Sequence, residues 1–227
     1  MVVASPPSAT STSLLANLPE SLLGSFRQRM QDDLAFQRLI FLWTLANPEL
    51  EKWGNLDTPP FIPNMRQWAP ILCPKRFVQV AGGERSGKSR VSAQMLYGRT
   101  QPKRRYWAVG RQYDNTHPEF DYLIPLYQAA GAITDVKRQV QTPKNQPWTI
   151  ELGPPFQGAE VRTRAADDVT KLGSWSVDGI LLCEAALVEE EAWKRLFGRV
   201  SNRRGWIWAS GTFERQRGDL WYQRLYH

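Results

Sequence analysis

Eight consecutive residues carry the clearest chemistry in this 227-residue chain: Gly82-Gly83-Glu84-Arg85-Ser86-Gly87-Lys88-Ser89. They fit the pattern of a glycine, four free positions, then Gly-Lys followed by Ser or Thr. The glycines let the backbone curl so that several N–H groups point inward at phosphate oxygens. Lys88 supplies a mobile charge for β- and γ-phosphates, and the Ser89 hydroxyl is a ligand for Mg²⁺. The apolar run Phe77-Val78-Gln79-Val80-Ala81 precedes the loop and a helical pattern follows it. The loop therefore lies between a strand and a helix, whose N-terminus adds its positive dipole end. These residues define a nucleoside triphosphate site.

A second signal is Asp178-Gly179-Ile180-Leu181-Leu182-Cys183-Glu184, an apolar strand pattern ending in an acid. A carboxylate at such a strand end is placed to polarise a water for in-line attack on a γ-phosphate. The alternative is an acid opening the next helix, where the dipole favours it anyway. Cys183 sits beside it, and a thiol is a poor ligand for hard Mg²⁺. A third run, Trp206-Ile207-Trp208-Ala209-Ser210-Gly211-Thr212, reads as a buried strand ending in small hydroxyl residues. Such an end would lie beside the γ-phosphate and sense its loss; a plain strand-to-turn transition fits the spacing equally well. No Asn-Lys-x-Asp tetrapeptide is present to read guanine.

Positioning these groups requires strands that alternate with helices. Strand patterns occur at 77–80, 106–109, 149–152, 159–162, 179–182 and 206–209, and helical ones near 89–97, 119–130 and 189–197. The alternation predicts an α/β fold, a mostly parallel central sheet flanked by helices. Upstream, apolar residues recur at helical spacing from Pro19 to Ala46 and end before Asn47-Pro48. The expected organisation is a flexible N-terminus over 1–18, an N-terminal helical segment over 19–58 and a nucleotide-binding domain over 59–227.

Composition narrows the class further. The 29 Lys and Arg exceed the 22 Asp and Glu, a net charge of +7 that favours polyanionic partners. The 2 cysteines cannot form a disulfide framework, and with 2 histidines and no Cys-x-x-Cys a zinc site is not expected. No apolar run approaches the roughly 18–20 residues a membrane span requires, and the N-terminus lacks the pattern of a signal peptide. The chain reads as soluble, intracellular and basic.

Taken together, the phosphate loop, the strand ending in Cys183-Glu184 and the strand ending in Ser210-Gly211-Thr212 resemble the ATPase half of the large terminase subunit. Large terminases are the DNA-packaging motors of tailed bacteriophages. The resemblance spans roughly residues 60–225, and the phosphate loop is its highly specific element. It implies a RecA-like P-loop fold with an additional catalytic Glu. The implied activity is ATP hydrolysis with Mg²⁺ that drives translocation of double-stranded DNA into a capsid in the host cytoplasm. It implies as partners DNA, a portal protein, a small terminase subunit and further copies of the chain in a ring.

Residue by residue, the resemblance makes Gly82, Gly83, Glu84, Arg85, Ser86, Gly87, Lys88 and Ser89 the nucleotide-binding loop, with Arg85 a basic residue inside it. Glu184 becomes the catalytic carboxylate and Ser210-Gly211-Thr212 the coupling motif. Arg66-Gln67 resembles the segment that reads adenine; a surface Gln is the alternative. Arg164 is the first choice for an arginine finger reaching a neighbouring copy, with Arg162, Lys171 and Arg199 behind it. Two departures stand out. Cys183 replaces the usual Asp that helps organise Mg²⁺. The family's nuclease domain would not fit after residue 227, so an ATPase-only chain or a piece of a longer one is expected. Two other readings share the phosphate loop: a P-loop ATPase of helicase or kinase type, and a nucleotide-binding assembly module with weak hydrolysis.

Overall fold

The computed structural model describes residues 65–137, 147–173, 175–213 and 221–225, together with a few helical positions between 23 and 31. The segment 1–18 and most of the segment 19–58 lie outside the described residues. The chain falls into two compact units, Met1–Cys73 and Pro74–His227. In the first, helix α1 spans Met65–Leu72 and carries Arg66 and Gln67 in its first turn. The boundary at Cys73/Pro74 lies further along the chain than the expected one at residue 58.

The second unit is built on a seven-stranded sheet. Its strands are β1 (Phe77–Ala81), β2 (Arg105–Gly110), β3 (Ile133–Lys137), β4 (Thr149–Leu152), β5 (Ala159–Ala165), β6 (Gly179–Leu182) and β7 (Trp206–Gly211). They lie in the order β1-β7-β6-β2-β5-β4-β3. The first five are mutually parallel, and β4 and β3 are added antiparallel. The helices are α2 (Lys88–Arg99), α3 (His117–Ala129), α4 (Glu190–Ser201) and the short α5 (Trp221–Arg224). This is the α/β P-loop arrangement expected, with one more strand, β3, than the apolar pattern revealed.

Burial explains the strand order. Strand β6 is buried along its whole length, and β2 and β7 are buried at every position but the first. Continuous apolar runs of this kind mark strands covered on both faces. Successive side chains point to opposite faces. Ile180, Leu182, Ile207 and Ala209 join the core under α4, with Leu196 and Val200 of that helix. Trp208, between Ile207 and Ala209, turns the other way and donates its indole N–H to Ser92 Oγ of α2 at 2.9 Å. Helix α2 is buried from Val91 to Gly98 because it is sandwiched between the sheet and α3. Helix α4 is amphipathic: Ala192, Leu196 and Val200 recur at four-residue steps inward. Its outer face carries the Lys194–Glu190 and Arg195–Glu191 pairs at the same spacing.

The parallel strands end nearly flush. Ala81 of β1 pairs with Gly211 of β7, and Leu182 of β6 pairs with Ala209 of β7 and Val109 of β2. Four chain segments therefore leave the sheet side by side at its carboxyl edge, the place where open α/β sheets hold ligands.

Candidate functional site

The segments that leave this edge build one cleft of about 520 Å³, lined by Glu84, Arg85, Ser86, Gly87, Lys88, Ser89, Arg90, Pro118, Tyr122, Glu184 and Thr212. The loop after β1 forms its floor. Gly87 has φ 83°, a conformation that favours glycine, and it hands the chain directly to α2, where Val91 N donates to Gly87 O at 3.0 Å. Arg85 also has a positive φ, 57°. A Cβ on Gly82 would lie 2.9 Å from Ser86 Oγ, so that hydroxyl would have to turn aside. Glu84, Arg85 and Ser86 are exposed, while Lys88 and Ser89 are half-buried at the start of α2.

Strand β7 lies between β1 and β6, so the Ser210-Gly211-Thr212 end sits between the phosphate loop and Glu184. Its contacts run both ways. Gly82 N donates to Gly211 O at 3.2 Å, and Lys88 Nζ donates to Thr212 Oγ1 at 3.0 Å. The same ammonium donates to the Gly82 and Gly83 carbonyls at 3.0 and 2.9 Å. On the other side the buried Ser210 Oγ donates to Leu182 O of β6 at 3.4 Å. Behind the strand ends, Tyr222 of α5 donates its hydroxyl to Val80 O at 2.9 Å.

Glu184 follows β6 in a left-handed conformation, φ 45° and ψ 54°, and opens a single 3₁₀ turn over Ala185–Leu187. A non-glycine residue with such angles carries local strain, a feature concentrated at functional sites. The turn swings its half-buried side chain into the cleft lining instead of into the next helix. Asp178, at the other end of β6, has a different task. It is buried, bridges Arg104 and Arg203 at 2.8 and 3.2 Å, and accepts Arg105 N–H at 3.0 Å. It locks the amino edges of β2 and β6, a strand length away from the cleft.

Sequence reasoning missed a carboxylate. Glu119, in the first turn of α3, is only 2% exposed. It lies against the Ser89 hydroxyl and the Cys183 thiol and close enough to Glu184 to feel its charge. Burial, and next the hydroxyl and thiol acting in opposition to it, set its pKa at about 7, above the usual carboxylate range. Glu119 Oε2 has no hydrogen-bond partner among the described residues. The helix start is held firmly: His117 stacks on Trp148 with centroids 3.8 Å apart and planes 2° off parallel, and Phe120 packs edge-on to the same ring. Pro118 followed by an acid is an ordinary helix-opening signature, so nothing in the spacing marked Glu119 as special. Arg90, Pro118 and Tyr122 complete the lining and were likewise not anticipated.

Cys183 is fully buried, and its backbone N–H donates to Val109 O of β2 at 2.7 Å. Burial, reinforced by the Glu119 and Glu184 charges, pushes its thiol well above the ordinary range, so it stays protonated. A neutral thiol is not a ligand for a hard cation. Among the described residues no group of three His, Cys, Asp or Glu side chains is placed to hold a metal by itself. Ser89 and the neighbouring carboxylates do fit a Mg²⁺ that arrives with phosphates, since that ion takes few protein ligands.

The remaining expected residues lie elsewhere. Arg164, on β5, stacks its guanidinium 5.2 Å over the Trp107 ring, is not part of the cleft lining, and has its pKa lowered mainly by burial. Arg162 on the same strand pairs with Glu160 at 3.0 Å, and Arg199 is half-buried on α4. Lys171 falls in a 3₁₀ turn, Val169–Gly173. Arg66 is exposed and Gln67 half-buried on α1, within the N-terminal unit.

No family model matches the sequence, and no curated protein matches it either. Solved structures do. The large terminase ATPase domain of Thermus phage P74-26 superposes with a TM-score of 0.56 at 22% identity, covering 71% of this chain and 68% of that one. The large terminase of bacteriophage HK97 superposes with a TM-score of 0.55 at 12% identity, covering 76% of this chain and 38% of the longer neighbour. The chain described here has the fold of the ATPase domain of phage large terminases.

Proposed function

We propose that this chain is an ATP-hydrolysing motor domain that drives translocation of double-stranded DNA into a viral capsid. The observation that carries the reading is the convergence of Lys88, Thr212 and Glu184 on one cleft, made by inserting β7 between β1 and β6. A nucleotide kinase has no need of a third strand end bonded to its phosphate loop. A motor does, because loss of the γ-phosphate must be felt beyond the site.

In this reading the 82–87 backbone and Lys88 hold the β- and γ-phosphates, with Arg85 at the loop's exposed flank. Ser89 is a ligand of Mg²⁺, which when bound neutralises charge on the phosphate oxygens. Glu184 orients a water and accepts its proton as that water attacks in line. Ser210-Gly211-Thr212 transmits the state of the phosphate loop to β6 and α5. Arg66 and Gln67 read the adenine, and Arg164 serves a neighbouring copy in a ring, where it must first leave Trp107. The portal protein and a small terminase subunit complete the assembly, which works in the host cytoplasm. Among the described residues no helix is long and apolar enough to cross a membrane.

The test measures ATP turnover with and without duplex DNA of unrelated sequences at several salt concentrations. Stimulation that ignores sequence and falls steeply with salt supports the motor, because counterion release governs phosphate contacts. Turnover that duplex DNA leaves unchanged would sink it.

A further inference from the structure

We propose that Glu119, reaching across from α3, is the carboxylate that organises the nucleotide's divalent cation beside Ser89, in place of a carboxylate at position 183. The proposal rests on the reading of the cleft as a Mg²⁺-nucleotide site and extends it to a residue outside the motifs.

The argument is one of donors and their surroundings. A hard divalent cation binds oxygen, and anionic oxygen best. At the end of β6 the candidate group is the Cys183 thiol, which is soft and fully buried. Ser89 brings one neutral oxygen. Glu119 is the buried acid that touches both, meeting the Ser89 hydroxyl from one side and the Cys183 thiol from the other.

Its own environment asks for a cation. A carboxylate 2% exposed with one oxygen unpartnered is costly to keep charged, and such groups are paired or coordinate metals. Among the described residues no salt bridge reaches Glu119. Its hydroxyl and thiol neighbours bring no positive charge, and Glu184 repels it. Glu119 lies just behind the cleft lining, so it would act on a cation at Ser89 from the buried side, through that hydroxyl or one water.

The fold also delivers this side chain deliberately. Gly110 ends β2 where a Cβ would lie 2.6 Å from Asn115 Cβ and 2.8 Å from Gln112 O. The chain then makes one 3₁₀ turn, Tyr113–Thr116, closed by Gln112 N donating to Asn115 Oδ1 at 2.9 Å. Thr116 Oγ1 donates back to Tyr113 O at 2.6 Å, and the His117–Trp148 stack fixes the first turn of α3. Cys183, being small, leaves room for a side chain from this direction; an aspartate there would crowd Glu119 with like charge.

The experiment measures Mn²⁺ affinity by electron paramagnetic resonance on the full chain saturated with a non-hydrolysable ATP analogue. Analogue affinity in EDTA is measured alongside. Glu119→Gln is expected to weaken Mn²⁺ about tenfold or more while leaving the EDTA affinity unchanged. Glu119→Asp, which keeps the charge but withdraws it by one methylene, is expected to fall between, and thermal melts report whether each variant folds. Adding Cys183→Asp to Glu119→Gln is expected to restore Mn²⁺ affinity to within about threefold of the wild type, since the carboxylate returns from the neighbouring strand. Unchanged Mn²⁺ affinity in both Glu119 variants overturns the proposal. So does equal loss of Mn²⁺ and EDTA affinities, which marks a structural role. Should the wild type bind no analogue with or without Mn²⁺, the nucleotide reading itself has failed, a result separable from either.

Discussion

Lys88 of the phosphate loop donates a hydrogen bond to Thr212 at the end of β7, Nζ to Oγ1 at 3.0 Å. The residues are 124 positions apart in the chain and adjacent only because β7 lies between β1 and β6. The ammonium's other two bonds go to the Gly82 and Gly83 carbonyls. Phosphate oxygens entering the cleft would compete for these same protons, so Lys88 can pass from Thr212 to nucleotide and back. On the proposed reading that exchange would link the state of the nucleotide to a strand end, and it separates two substitutions.

Lys88→Ala removes the charge held at the phosphate loop's own carbonyls, and hydrolysis is expected to fall by about 10²–10³-fold with loss of nucleotide affinity. Thr212→Val keeps the shape and leaves Lys88 its carbonyl partners. It should preserve ATP affinity within about threefold while lowering DNA-stimulated turnover about tenfold, the scale of one bond to a charged group. Equilibrium binding and steady-state turnover on both variants check this. Equal damage from the two would mean that Thr212 merely supports the loop.

Glu184→Gln should retain ATP binding and lose the chemical step. The amide fills the same space at the start of the 185–187 turn but cannot accept a proton. A fall of about 10²–10⁴-fold in turnover with unchanged affinity is expected, read by a single-turnover assay. Asp178 is not a substitute base, because it is held between Arg104 and Arg203 at the opposite edge of the sheet.

The parts of this site that were legible in the sequence are those whose chemistry is local. The loop from Gly82 to Ser89 announces itself through adjacent residues, and β2, β6 and β7 through unbroken apolar runs that only a doubly covered strand tolerates. Edge strand β3, Ile133–Lys137, escaped because its exposed Thr134, Asp135 and Lys137 break any such run. Strand β5 runs on to Ala165 because Arg162 and Arg164 alternate with buried Val161 and Thr163, a polar face that the apolar count discards. What no local pattern shows is pairing between distant segments. That β7 inserts beside β1, and that α3 turns Glu119 toward Ser89, depend on contacts between parts of the chain remote in sequence. Glu119 is the instructive omission: its role comes from burial, and Pro-Glu at a helix start is commonplace.

Gly211 is a point where space decides. A Cβ there would lie 3.1 Å from Ala185 N, 3.3 Å from Ala186 N and 3.2 Å from Tyr222 Cε1. Two of these are backbone atoms of the turn that aims Glu184, so they yield only by moving it. Gly211→Ala is expected to cost about 1–3 kcal/mol, a fall in Tm of roughly 3–10 °C for a chain this long. Because the strain falls on the turn, turnover should drop more than ATP affinity. Thermal melts with parallel binding and turnover measurements test it, and a variant with wild-type melting would show that β7 shifts freely.

The acid of α3 should also write itself into the pH dependence of stability. Burial, the largest cause, raises Glu119 from the ordinary glutamate value of 4.5 to about 7 in the folded chain. The native state therefore holds this proton more tightly than the unfolded state does. Between pH 4.5 and 7 the folded chain binds more protons, so the metal-free protein loses stability as pH rises through this window. The sign is the reverse of the usual salt-bridged carboxylate, whose contribution disappears on acidification. Full expression of the shift corresponds to about 3 kcal/mol, at about 1.4 kcal/mol per unit. Glu119→Gln, which cannot ionise, should flatten this slope, and its stability should match or exceed the wild type at pH 8 in EDTA. Urea unfolding at pH 5, 6, 7 and 8 measures both chains. Wild-type stability that climbs across the window in step with the variant would mean that Glu119 is charged throughout and paired with a group in the fold, and the buried, cation-seeking acid would then be the wrong description of it.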